Sequence, residues 1–279
     1  MGLLDQVSLT TPKPAGIRAI IAGAEKMGKT TLSCSAPRAL LVPLERGYDT
    51  IKVMKTPLIE SYDSLISLLD TEICPLVANG SFPYKSLVFD SATALETRLH
   101  EKVLMTDPSF VSGNKKALTM ESALGGYGKA YQYANELFVG LLQRFDWLSS
   151  QGINIILTCH VFASRQLDPA IGEYDSWDLL LHSPKNQKTY GQREMISQWA
   201  DLIGYLHEPM FVSEGKTINK AISANAGRVL AVNRNPAYVA GNRYGVVNDI
   251  PIPMTGGWNH VANAIYQATG NTLDFFNRD

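Results

Sequence analysis

The run Gly23-Ala24-Glu25-Lys26-Met27-Gly28-Lys29-Thr30 carries the most explicit chemistry in the chain. It fits the pattern G-x-x-x-x-G-K-[ST], and Thr31 extends it. Residues of these types at this spacing grip a polyphosphate. Glycines let backbone N–H groups turn inward around phosphate oxygens. A lysine at the Lys29 position neutralises the outer phosphates, and a hydroxyl at the Thr30 position ligates a hard divalent cation such as Mg²⁺. Gly23, Ala24, Glu25, Lys26, Met27, Gly28, Lys29, Thr30 and Thr31 are therefore the expected nucleotide-binding run.

Such a loop needs a carboxylate in the metal shell and a base that orients water. Asp90 closes the apolar run Leu87-Val88-Phe89 and joins Thr30 as the expected metal residue. An aspartate there could also cap the helix that follows. Glu45 is the expected base, with Asp49 second. Glu45 follows an apolar run and would lie beside the phosphate loop if that strand neighbours the first. His160 ends another apolar run, where a polar group can sense the terminal phosphate. The guanine-reading pattern Asn-Lys-x-Asp is absent from the sequence, which favours ATP over GTP.

The elements that must position these residues follow from periodicity. Residues 17–22, 39–44, 86–89 and 153–158 are continuous apolar runs and read as buried strands. Pro43 suggests an edge position or an irregular end for the second. Residues 61–77, 92–105, 129–149, 192–199 and 258–276 read as helices, with Gln151-Gly152 closing the third. Residues 202–206 and 228–233 read as further strands, the latter paired with 217–223. Two long polar stretches, 106–128 and 161–188, read as loops, and loops of that length are usually functional. Alternating continuous strands and helices predict an α/β fold with a mainly parallel sheet and helices on both faces. One domain over 15–255 is expected, after a lead-in at 1–14 and before a helix and tail at 256–279.

The bulk composition fits a soluble globular protein with a substantial core: 45% hydrophobic and 18% charged residues, with a net charge of −1. No apolar run is long enough to span a bilayer, and Met1 to Pro14 shows no secretory pattern. Cys34, Cys74 and Cys159 fit neither a metal pattern nor a disulfide framework and read as buried thiols of a reducing cytoplasm. The near-neutral charge excludes a uniformly basic surface, but it leaves room for a local nucleic-acid groove.

Taken in chain order, the phosphate loop, Glu45, Leu87-Val88-Phe89-Asp90-Ser91, a glycine-rich loop, a long helix and Ile155 to His160 resemble the ATPase core of the RecA recombinases. The chain is similar, more closely, to the RecA-like single-strand annealing proteins of bacteriophages, the Sak type. Pro12 to Arg18, Ser35-Ala36-Pro37, Trp199 to Gly204, Gly241 to Gly245 and Ile250-Pro251 carry that likeness, which spans about residues 12–255. It implies a RecA-type P-loop core, DNA-stimulated ATP hydrolysis with Mg²⁺, and oligomerisation as a ring or filament with ATP between subunits. It also implies a cytoplasmic location, single-stranded DNA and a single-strand binding protein as partners, and no membrane. The family's sensor residue is usually Gln, where this chain has His160. The resemblance implies a trans finger at Arg243, with Arg234 second, where the family's Lys-x-Arg has lost its lysine. It places DNA along 106–128 and 161–188, with Lys115, Lys116, Lys129 and Arg165 as phosphate contacts and Tyr127, Phe162, Tyr174 and Trp177 for stacking. No counterpart of RecA's extra N-terminal helix or C-terminal domain is expected, which argues against full strand exchange. Two other readings use the same loop: a nucleotide-switched partner protein such as a helicase loader or assembly factor, and a nucleotide kinase.

Overall fold

A computed structural model describes residues 15–47, 51–112, 118–170, 172–184, 190–213, 220–223 and 227–270. The expected contacts Lys115 and Lys116, the alternative base Asp49 and the lead-in 1–14 lie outside the described residues.

The first apolar runs form β1 (Arg18–Ala22), β2 (Ala39–Pro43), the short β3 (Met54–Lys55), β4 (Ser86–Asp90) and β5 (Asn154–Cys159). The rest of the chain adds β6 (Val161–Asp168), β7 (Gly172–Leu179), β8 (Leu202–His207), β9 (Met210–Ser213), β10 (Lys220–Ser223), β11 (Arg228–Ala231), β12 (Gly241–Asn242) and β13 (Ile250–Ile252). The central sheet runs β13-β11-β8-β1-β5-β4-β2-β3, with β12 also on β8. From β8 to β3 every pairing is parallel, while β11, β12 and β13 join antiparallel. The expected α/β architecture is thus observed, with an antiparallel margin.

The central strands are apolar over most of their length because both faces are covered. Ile20, Leu87, Phe89, Ile155 and Leu157 pack on one face with helices α4 (Ala92–Met105), α6 (Lys129–Ser150) and α7 (Gln192–Trp199). Ala19, Ile21, Leu41, Val88 and Ile156 pack on the other with α1 (Lys29–Cys34) and α8 (Trp258–Thr269). Phe89 and Phe145 meet with ring centroids 4.7 Å apart and tie α6 to the sheet. α8 ends at Gly270, which has a left-handed φ of 67°, and the tail beyond it lies outside the described residues.

Helix 62–78 is not uniform: α2 (Tyr62–Ser67) and α3 (Cys74–Ala78) flank a π-helical turn at Leu68–Ile73. Pro75 lacks an N–H, and Cys74 N–H bonds five residues back to Leu69 O, so the wider turn absorbs the proline. The stretch 106–128 holds α5 (Pro108–Val111), capped by Asp107, and a short 3₁₀ turn at Ala123–Gly125. Asp107 also accepts from Leu124 N at 2.6 Å and so cross-ties the segment.

Two expectations are corrected, and one stated condition is not met. The stretch 161–188 is not a loop throughout: β6 and β7 pair antiparallel over their whole length as a separate hairpin. β11 lies between β8 and β13, not beside Lys220–Ser223, which pair with β9; the rest of 217–223 lies outside the described residues. β2 does not neighbour β1, because β5 and β4 stand between them. Pro43 is the last residue of β2, beyond the reach of β3, which pairs only Leu40 and Leu41. Of the cysteines only Cys159 is fully buried, and burial pushes its thiol up to about 12; Cys34 and Cys74 are partly buried.

Candidate active site

In an open parallel sheet the carboxyl ends of the strands form the ligand edge. Four chain segments meet there. The loop Gly23–Gly28 leaves β1 and enters α1, with φ of 158° at Gly23, 61° at Lys26 and 86° at Gly28. A side chain at Gly23 would strike Leu206 O, and one at Gly28 would strike the Arg228 guanidinium, so both positions require glycine for space as well as for φ at Gly28.

Lys29 is only 7% exposed. Its Nζ donates to Gly23 O at 2.9 Å and Ala24 O at 2.8 Å, folding back over the loop it follows. Burial pushes its pKa below the usual lysine value, opposed by the charges of Asp90 and Glu45 among others. Thr30 Oγ1 donates to Asp90 Oδ2 at 2.9 Å. Asp90 Oδ1 accepts from Thr158 Oγ1 on β5. Asp90 is therefore held by hydroxyls from α1 and β5, one on each carboxylate oxygen. The helix cap is Ser91, whose hydroxyl accepts from Ala94 N, so Asp90 does not serve as the cap.

Glu45 reaches this edge despite the strand order. Leu44 N and Glu45 N both donate to Asp90 O, at 2.7 and 3.2 Å, which bends the chain after β2 over the end of β4. Glu45 Oε1 then lies 3.1 Å from His160 Nε2, just past the end of β5. The hydrogen bond from His160 holds the Glu45 carboxyl below its ordinary value of 4.5; burial opposes this, and the His160 charge, Ser91 and Lys29 assist. His160 N donates to Thr93 Oγ1 at 3.3 Å, and His160 O accepts from Leu180 N at 2.8 Å. The histidine is thereby linked to the start of α4 and to the segment that follows β7.

Lys29, Thr30, Asp90, Glu45 and His160 are thus brought together. The oxygen donors of Thr30 and Asp90 suit a hard cation that takes few protein ligands and completes its shell from phosphates and water. The inward-turned loop with a buried ammonium at its foot suits a polyphosphate.

Arg243 is not brought to this edge of its own chain. Its Nη1 lies 3.0 Å from Asp201 Oδ1 and its N–H donates to Asp201 O at 2.9 Å. Asp201 also holds Arg18 at 2.7 Å, at the amino end of β1. The length of β1, about 13 Å for four residue steps, separates that point from the phosphate loop. Arg234 is exposed in the excursion between β11 and β12.

Of the expected DNA contacts, Lys129 is exposed at the start of α6. Arg165 on β6 faces Glu173 at 3.4 Å and Asp175 at 3.8 Å across the hairpin, so its charge is largely answered within the chain. Between residues 121–135 on one side and residues 182–184 and Tyr190 on the other runs a groove of 670 Å³. Tyr127, Tyr131, His182 and Tyr190 line it, with Asn135 and Gln132. Tyr127 is fully exposed, and Tyr131 stacks on His182 at 3.9 Å and 6°.

Sequence reasoning missed Thr158, Ser91 and Arg228. Thr158 stood as the one hydroxyl in an apolar run, which was the available signal. Arg228 stood at the head of the alternation Arg228, Leu230, Val232, where an inward-facing position carries a charge.

Comparison with known proteins bears on the same residues. No curated protein matches the chain. Among solved structures, the flagellar accessory protein FlaH of Methanocaldococcus jannaschii aligns at 13% identity and a TM-score of 0.38, over 86% of this chain and 87% of that one. A KaiC-like protein of Pyrococcus horikoshii OT3 aligns at 15% identity and a TM-score of 0.40, with the same coverage. A family model described as an AAA domain, AAA_24, matches residues 15–244, which take in the phosphate loop, Glu45, Asp90 and His160. The chain belongs to this AAA-domain family of nucleotide-binding ATPases.

Proposed function

We propose that the protein is an ATP-dependent, single-stranded-DNA-binding annealing protein of the bacteriophage type, which oligomerises with ATP at subunit interfaces. The observation that carries the nucleotide part is the convergence of Lys29, Thr30, Asp90, Glu45 and His160 at one sheet edge. Supporting the DNA part is the groove lined by the exposed Tyr127 and Tyr190, since exposed rings can stack bases without regard to sequence.

Lys29 leaves its two carbonyls and binds the outer phosphates of ATP. Thr30 and Asp90 would hold Mg²⁺, which supplies neutralisation of phosphate charge. Glu45, kept as a carboxylate by His160, orients the attacking water and accepts its proton. His160 carries the change in the site to Leu180 and the groove wall. Arg243 acts, in this reading, on the site of the neighbouring subunit, because its own lies at the other end of the sheet.

One observation favours the partner-switch reading instead. The hairpin carries Asp168, Glu173, Asp175 and Asp178 against a single arginine, a poor surface for a phosphate backbone. ATP hydrolysis by the purified protein, with and without single-stranded DNA at low and moderate salt, separates the two. The DNA reading expects strong stimulation that weakens with salt. Hydrolysis indifferent to DNA, with no DNA binding in either nucleotide state, contradicts it and leaves the partner switch.

A further inference from the structure

Arg228 opens β11 on the face that Leu230 and Val232 also occupy, so its side chain enters an otherwise apolar layer beside α1. The residue is 4% exposed. Its Nη1 donates to Met27 O at 2.7 Å and its Nη2 to Pro253 O. Its Nε has no partner among the described residues. No carboxylate forms an ion pair with it among the described residues, and Glu208 acts on it only through space. A buried cation is ordinarily paired, because desolvation is repaid only by a close counter-charge. Here the two acceptors are neutral carbonyls, one in the phosphate loop. The guanidinium is also so close behind Gly28 that a Cβ there would overlap it.

We infer that Arg228 is a positioning residue of the phosphate loop whose counter-charge is the bound nucleoside polyphosphate. From behind, it fixes the Met27–Gly28 backbone so that the loop's N–H groups face the phosphates. Its charge adds to that of Lys29 on the opposite side of the same backbone. The inference rests on the reading that this loop binds a nucleoside triphosphate. It assigns the discrimination between polyphosphate and nucleoside in part to a residue some two hundred positions away in sequence.

Calorimetric titration of the full chain with ATP, ADP and adenosine tests this. Arg228→Gln keeps an N–H for Met27 O but removes the charge. At an effective dielectric of about 20 and a few ångströms' separation, that loss is expected to weaken ATP binding by about tenfold or more. ADP should lose less, and adenosine should bind as it does to the unaltered chain. Arg228→Lys, which keeps the charge and gives up the two-armed hydrogen bonding, should restore most of the preference for ATP over adenosine. Equal losses for all three ligands, or no loss for ATP, would overturn the role. If Arg228→Gln does not fold, Arg228→Met, which removes the charge and fills the same apolar layer, takes its place under the same outcomes. An unaltered chain that fails to bind ATP would instead overturn the nucleotide reading itself.

Discussion

At the residue scale, Glu45 and His160 act as a pair in the proposed hydrolysis. Glu45 must be a carboxylate to accept a proton from water. Its folded pKa is depressed, chiefly by the hydrogen bond from His160. A depressed carboxylate contributes stability that is fully present above its ordinary value of 4.5 and is lost as the pH falls through the lower folded value. Removing His160 deletes the largest depressing cause and leaves burial, which acts upward, opposed only by the smaller effects of Ser91 and Lys29. In His160→Ala the acid limb of the kcat–pH profile should therefore move to higher pH. A limb that stays in place or moves lower would remove Glu45 as the titrating base or His160 as its support.

Among the elements, the sheet's amino edge is tied by a chain of buried polar groups remote from the site. Asn154 Oδ1 accepts from Ile17 N at 3.1 Å, Asn154 Nδ2 donates to Ser86 Oγ at 3.1 Å, and Ser86 Oγ donates to Pro37 O at 2.8 Å. Three strand starts are held in register by one amide. Asn154→Ala orphans the Ile17 N–H and should cost about 1–3 kcal/mol in chemical denaturation, with KM for ATP unchanged. A changed KM with unchanged stability would contradict this placement. The strands themselves were legible because burial on both faces makes them continuous apolar runs. The hairpin was not, since Phe162, Ser164 and Gln166 alternate with Ala163, Arg165 and Leu167, and only the Val161–Leu179 end reaches the core. No apolar period is left to read. The partner of β11 was misread because pairing is long-range: β8, more than twenty residues earlier, competes with the nearer 217–223. The phosphate loop was legible because its chemistry is contiguous. Arg228 was not, because its role depends on a contact made across the fold.

At the scale of the whole molecule, the fold gathers residues 23–30, 45, 90 and 160 at one edge of the sheet. The order β1-β5-β4-β2 puts Glu45 two strands further from the loop than adjacency in sequence suggests. The bend pinned by Asp90 O and the reach of His160 from β5 close that gap. The opposite edge carries Arg18, Asp201 and Arg243, which leaves the arginine facing away from its own site. In the proposed function these distant segments make one ATP-hydrolysing site. Parallel measurement of ATP binding and turnover in the unaltered protein, Glu45→Gln and Lys29→Ala tests this. Glu45→Gln should bind ATP nearly as the unaltered chain does but turn over about 10²-fold or more slowly, while Lys29→Ala should lose productive binding. Normal hydrolysis by Lys29→Ala, or full turnover by Glu45→Gln, would contradict it.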